Sequence, residues 1–275
     1  QDPRHQWAWQ RLEAFHRELR SVPAQLARRT LATAPDAPGR RTVLKGMLLG
    51  LGVSGLGWTA YRPATLWLAD LRTATGERRT QLLQDGTQLT LNTATAVDIR
   101  YDAGQRLILL RAGEIMLTTG KDPRPLTVRS QHGDMRALGT RFNVRQADDF
   151  TELDVLEHAV AVHNRSAVEP LRVEAGMSLR FGSGALPRPQ PVDVNRAQWL
   201  QGRLVIDGWP LARVLEELQR YRPGFIECAH EVANLRVSGA YPLDDTTRAL
   251  AAIAQALPVR IEMRTRYWVR VRGLA

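Results

Sequence analysis

Residues 46–60 carry no charge, and five of the fifteen are glycine: Gly46, Gly50, Gly52, Gly55 and Gly57. This stretch restricts the fold more than any other. In water each glycine costs about 1 kcal/mol of helix propensity, so a soluble core helix would rarely carry five. Helices in lipid tolerate small residues and pack through them, and Gly46 and Gly50 have the spacing for it. Fifteen residues at 1.5 Å rise span roughly 22 Å, short of the ~30 Å hydrocarbon core. Lys45 can snorkel, and Trp58 and Tyr61 can sit at the interface, which extends the usable span to about 19 residues. Residues 40–62 are therefore expected to form a single transmembrane helix. Arg40, Arg41 and Lys45 directly before it read as a twin-arginine export signal. The alternative is a cleaved signal peptide. The 39 residues before Arg40 are long for its charged start, and no Ala-x-Ala site follows cleanly. Gly50, Gly52 and Gly55 also match a dinucleotide fingerprint, but two arginines rather than a strand precede them.

Charge orients the span. The chain of 275 residues has a formal net charge of +10. Residues 1–45 hold nine Lys/Arg against four Asp/Glu, so half the excess lies on one flank of the apolar stretch. That flank is expected to stay in the cytoplasm while the rest crosses. A pI near 10.8 would also suit nucleic-acid binding. The adjoining anchor argues instead for a protein without direct nucleic-acid contact. Within residues 1–39, Trp7, Leu12, Phe15 and Leu19 recur at mixed steps of three to five residues, a helical pattern, followed by a linker rich in Ala and Pro. The chain opens on Gln1, Asp2 and Pro3 without an initiator Met, as the end of a longer helical domain would.

From residue 70 to 185 the period changes to two. Asp85-Gly86 and the Asp102 to Gln105 stretch are turn signals between alternating runs. Strands are expected at 87–93, 96–101, 105–111, 114–119, 126–130, 140–145, 152–156, 160–163 and 177–181. Leu107, Ile108, Leu109 and Leu110 are continuously apolar, the mark of a strand buried on both faces. An all-β domain follows; sandwich, barrel and solenoid remain open.

After a proline-rich linker at 186–192, residues 193–275 read as a small α+β domain. Leu211, Val214, Leu215 and Leu218 form one apolar helix stripe behind Pro210, and Asp244 or Asp245 can cap a second helix running through residue 257. At an offset of 35 residues Leu215 matches Leu250, Leu218 matches Ile253, Pro223 matches Pro258, Ile226 matches Ile261 and Glu227 matches Glu262. This is the pattern of a duplicated βαβ unit, closed by a further strand at 267–271.

Several runs together resemble the FecR family of transmembrane sigma-factor regulators. They are Thr-Ala-Thr-Gly-Glu-Arg at 73–78, Asp-Gly-Thr at 85–87, Leu-Asn-Thr-Ala-Thr-Ala at 91–96, Arg-Ala-Gly-Glu at 111–114 and Ala-Leu-Gly-Thr-Arg-Phe-Asn-Val at 137–144. Gly-Arg-Leu-Val-Ile-Asp-Gly-Trp-Pro-Leu at 202–211, Arg-Tyr-Arg at 220–222 and Leu-Arg-Val-Ser-Gly at 235–239 look like the family's C-terminal domain, similar to the secretin and TonB short N-terminal module. Residues 2–31 look like the tail of its cytoplasmic anti-sigma domain. The resemblance implies a single-pass inner-membrane regulator with a cytoplasmic N-terminus and a periplasmic C-terminus. Its implied partners are an extracytoplasmic-function sigma factor and the N-terminal signalling domain of a TonB-dependent outer-membrane transporter. Periplasmic and intramembrane proteases would relay the signal to genes of iron and siderophore uptake. The alternative is an exported periplasmic β-domain protein, binding or glycan-active, with a cleaved signal. It predicts clustered acids or aromatics, whereas the middle domain has no Trp and its acids are scattered.

Catalytic chemistry is sparse. The six histidines have no metal spacing, a single cysteine (Cys228) excludes an intrachain disulfide, and no cofactor motif occurs in a fitting context. Gly139 and Thr140 lie where some family members resemble self-cleaving proteins: a Thr hydroxyl can attack the preceding carbonyl in an N-to-O acyl shift. Trp209, Tyr221, Arg222 and Tyr241 are the expected surface anchors for a partner, since aromatic and Arg residues dominate interface hot spots.

Overall fold

The computed structural model describes residues 68–274. The helical tail expected at the N-terminus, the expected span and Arg40, Arg41 and Lys45 lie outside the described residues. Among the described residues no helix is long and apolar enough to cross a membrane. All of them belong to one compact unit, Pro63–Ala275.

The first lobe is a continuous 13-stranded sheet. Its strands are β1 (Leu71–Arg72), β2 (Arg79–Leu82), β3 (Gln88–Leu91), β4 (Ala96–Tyr101), β5 (Arg106–Thr118), β6 (Leu126–Arg129), β7 (Asp134–Ala137), β8 (Arg141–Gln146), β9 (Thr151–Glu157), β10 (Ala159–His163), β11 (Leu171–Glu174), β12 (Met177–Phe181) and β13 (Gln190–Pro191). β5 organises it. Its first half pairs with β4 and, in parallel, with β6; its second half pairs with β3 and β8. The sheet therefore folds over at β5 into two halves, β1-β4-β5-β6-β7-β10-β11 and β2-β3-β5-β8-β9-β12-β13. Both inner faces share one core, with Val97, Ile108, Val128 and Val160 from the first half and Leu89, Leu117, Phe142 and Leu153 from the second.

The two strands expected at 105–111 and 114–119 are thus one strand. Its changeover falls at Gly113, whose φ is +90°. A Cβ there would lie 2.3 Å from Thr95 Oγ1 and 2.6 Å from Thr95 Cα. Gly113→Ala is expected to cost at least about 1–3 kcal/mol from backbone strain alone, before the clash with a backbone atom is added. Urea unfolding of the variant checks it. β1, β2, β7 and β11 are too short for alternation to stand out, at two to four residues each; Met135 and Val173 are the only buried side chains of β7 and β11.

The turn signals act as expected. Asp85 accepts from the Thr87 amide (3.1 Å) and hydroxyl (2.6 Å) and is met by Arg106 at 2.5 Å. Asp102 accepts from the amides of Gly104 and Gln105.

The second lobe begins with a 3-10 helix, Val194–Gln201, capped by Asp193. Then come β14 (Arg203–Pro210), α1 (Leu211–Gln219), β15 (Phe225–Cys228), β16 (Arg236–Pro242), α2 (Thr246–Ala256), β17 (Val259–Thr265) and β18 (Trp268–Gly273). The duplication is visible in burial. α1 buries Leu211, Val214, Leu215 and Leu218; α2 buries Thr246, Ala249, Leu250 and Ile253, each 35 residues later. Asp245 caps α2 by accepting from the Arg248 amide. One expectation is corrected: the strands flanking each helix do not share a sheet. β14 pairs with β16, while β18 takes the place between β15 (parallel) and β17 (antiparallel).

Candidate functional site

Strand alternation sets up the site. Ile115 and Leu117 of β5, Phe142 and Val144 of β8, and Leu153 and Val155 of β9 enter the first lobe's core. Their neighbours Glu114, Met116, Asn143, Arg145, Glu152, Asp154 and Leu156 must face the other way. The second lobe covers that face: Met116 belongs to its core and Leu156 packs against it.

Within this covered face lies a buried polar latch. Glu114 is its centre. One carboxylate oxygen accepts from Asn143 Nδ2 at 2.9 Å; the other accepts from Asn92 Nδ2 at 2.9 Å and from Arg220 Nη2 at 2.6 Å. Arg220 follows α1 and also pairs with Glu217, which Arg145 reaches at 3.0 Å. Asn92 Nδ2 donates to the Tyr221 hydroxyl (2.7 Å), and the Thr93 hydroxyl donates to the Arg220 carbonyl (2.9 Å). At the edges Arg78 meets Asp244 at 2.5 Å, and Arg196 of the connecting 3-10 helix pairs with Glu152 and with Asp154 (3.2 Å). Every one of these ties crosses from one lobe to the other, except the Arg220–Glu217 pair and the bonds from Asn92 and Asn143 to Glu114.

The electrostatics follow. Burial pushes the Glu114 carboxyl up, but the Arg220 and Arg145 charges with the Arg220 and Asn143 hydrogen bonds outweigh it and hold the group below the ordinary Glu value. Asp154 goes the other way: burial raises it, and Arg196 only partly offsets that. Burial also pushes the Tyr221 phenol up. The latch is a charged group kept ionised by its partners, a means of holding two lobes in one register rather than a means of moving protons.

The expected surface anchors are placed otherwise. Tyr221, Tyr241 and Arg222 are buried. Tyr221 extends the helix stripe three residues past Leu218, so its ring enters the core. Tyr241 shares the inward parity of Val237 on β16. Arg222 donates to the Arg266 carbonyl at 3.2 Å. Trp209 is half-buried under the Arg213 guanidinium, 3.7 Å from the ring centroid. As exposed anchors, Tyr221, Arg222 and Tyr241 are therefore corrected. Tyr221 instead joins the latch with Glu114, Asn92, Asn143 and Arg220, none of which was picked from the sequence as a site residue. The available signal was polarity inside apolar strands: Asn92, Glu114 and Asn143 all interrupt runs of strand-forming residues.

Gly139 and Thr140 sit in the bend between β7 and β8. Gly139 is exposed with φ +76°. Thr140 is 2% exposed, and its buried hydroxyl has no hydrogen-bond partner. Its carbonyl accepts from the Thr119 amide at 3.0 Å. Among the described residues no group of three or more His, Cys, Asp or Glu is placed to hold a metal ion.

Fold and site define a two-lobed, β-rich protein in which a small α/β module is latched onto the outer face of a folded-over sheet. Residues 69–161 match the family model described as FecR protein. Two crystal structures of a "putative anti-sigma factor" from Parabacteroides distasonis ATCC 8503, at 1.65 and 2.50 Å resolution, are similar to this chain at 22% identity in both cases. They cover 74% of this chain; 99% and 98% of theirs is covered, with TM-scores of 0.63 and 0.62. At that identity the likeness is one of fold. No curated protein sequence matches this one significantly.

Proposed function

We propose that the chain is an anti-sigma regulator that spans the bacterial inner membrane once. Its N-terminal helical part binds an extracytoplasmic-function sigma factor in the cytoplasm. The two lobes lie in the periplasm, where the second receives the signalling domain of a ligand-loaded TonB-dependent transporter; iron and siderophore uptake are the genes controlled. The observation that carries this reading is the FecR match over residues 69–161, most of the first lobe. The shared two-lobe fold of the anti-sigma structures supports it. So does the uncharged stretch at 46–60 behind a basic flank.

The relay is proteolytic in this proposal, and its first cut is self-made. The Thr140 hydroxyl oxygen attacks the Gly139 carbonyl carbon, the Gly139–Thr140 C–N bond breaks, and the Thr140 nitrogen takes up the hydroxyl proton. Water then hydrolyses the ester, leaving a Gly139 carboxylate and a free Thr140 amine and hydroxyl. Two features support it: the hydroxyl is held by no competing hydrogen bond, and Gly139 has the φ that lets the bend approach a strained geometry. Periplasmic and intramembrane proteases complete the release.

One experiment tests the reading. The parent protein is tagged at both ends in its host, the cells are fractionated, and the N-terminal tag is purified from membranes. A membrane-bound N-terminal piece that copurifies with an extracytoplasmic-function sigma factor is expected. A soluble periplasmic product lacking the N-terminal tag would sink the proposal in favour of an exported β-domain protein.

A further inference from the structure

Two cavities, about 530 Å³ and about 480 Å³, adjoin along the junction of the lobes and share Glu152, Arg180, Arg196, Trp209 and Arg213 in their walls. That size suits a small organic ligand. Most charges lining them are spent on each other: Glu114, Glu152, Asp154 and Glu217 are all engaged by Arg145, Arg196 or Arg220. Four lining arginines are not. Arg180, Arg188, Arg203 and Arg213, all exposed, have no acidic partner among the described residues, against two lining acids, Glu216 and Asp193, without an arginine.

Two of these arginines are held ready. Arg180 of β12 lies over the Phe150 ring at 3.5 Å, and Arg213 of α1 lies over the Trp209 ring at 3.7 Å. Stacking fixes a guanidinium through its face and leaves the N–H groups in its plane unspent. One fork comes from each lobe, and both line both cavities. Trp199 adds a buried indole N–H without a partner to the wall of the larger one.

We propose that this cleft binds a small organic polyanion, carrying two or more carboxylate or phosphate groups, which Arg180 and Arg213 grip bidentately from opposite lobes, with Arg203 adding charge. Bidentate oxyanion recognition is the use to which a preoriented guanidinium is best suited. The ligand bridges the lobes alongside the Glu114 latch and tightens their docking. The inference stands apart from the sigma-factor reading, and its test does not involve that partner.

The full 275-residue chain in detergent is titrated calorimetrically with tricarballylate and, separately, with pyrophosphate, at ionic strength matched with chloride. Saturable binding of at least one probe with a Kd below about 1 mM is expected, weakened at least about tenfold by Arg180→Ala and by Arg213→Ala. The carboxylate and phosphate arms separate the two ligand sources. Arg129→Ala, which breaks an exposed pair with Asp134 away from the cleft, should leave binding unchanged. Arg180→Lys and Arg213→Lys keep the charge and lose the fork; they too should weaken binding, and they carry the test if an alanine variant fails to fold. Absence of saturable binding by either probe overturns the proposal, as does binding that survives both cleft substitutions.

Discussion

Glu114→Ala is expected to destabilise the latched two-lobe unit by about 3–5 kcal/mol, the cost of removing one partner of a buried ion pair. Three donors lose an acceptor at once: Arg220, Asn92 and Asn143. Arg220 keeps Glu217 and Asn92 keeps the Tyr221 hydroxyl, which limits the loss, but the Asn143 amide gains nothing in exchange. The cost far exceeds that of an exposed pair such as Arg172–Glu174, where about 0–1 kcal/mol is typical. Urea unfolding at neutral pH measures it, and a double-mutant cycle with Arg220→Met isolates the pair. Replacing both residues by methionine should cost much less than Glu114→Ala, because no charge is then left stranded. A Glu114→Ala loss below about 1 kcal/mol would mean that the latch does not hold the lobes. The same group sets an acid limit. Its folded value lies below its ordinary 4.5, so its contribution is complete above pH 4.5 and disappears as pH falls through the folded value. Asp154 runs opposite: with its folded value above 3.8, its charge costs stability at neutral pH, and acid relieves that cost. Glu114→Gln should therefore flatten the fall in stability on acidification.

Thr140→Ala is expected to abolish the proposed cut while leaving the fold intact. The wild-type parent should yield a second fragment beginning at residue 140, and the variant none. The buried hydroxyl makes no hydrogen bond, so its removal deletes an unsatisfied polar group and should be neutral or slightly stabilising. A folded variant that no longer cleaves thus assigns the effect to chemistry. Thr140→Ser keeps the nucleophile and should restore the fragment. An unchanged fragment in Thr140→Ala would remove self-cleavage from the mechanism and leave the cut to proteases.

Some of this was legible one residue at a time. Leu211, Val214, Leu215 and Leu218 repeat at helical spacing, and the copy 35 residues later reproduces every buried position. Asp85 and Asp245 reveal a turn and a cap because their side chains bond their own near neighbours. Tyr221 and Tyr241 were misplaced because aromatic side chains suit a core and an interface alike, and only the tertiary arrangement distinguishes them. The latch was harder to see. Asn92, Glu114, Asn143 and Arg220 come together across separations as large as 129 residues for Asn92 and Tyr221, and no local period links them.

Local order follows from the residues themselves: an apolar stretch behind a basic flank, a β-rich stretch, then a duplicated strand–helix–strand unit. Those features depend on side-chain period and short-range capping, which act over a few residues. Tertiary structure alone decided that β5 is one strand serving both halves of the sheet. It also decided that the sheet's outward polar face is covered by the second lobe, and that Arg180 and Arg213 line one cleft from opposite lobes. Each depends on which distant surfaces exclude water together, and that is a property of the packed chain, not of any segment in it.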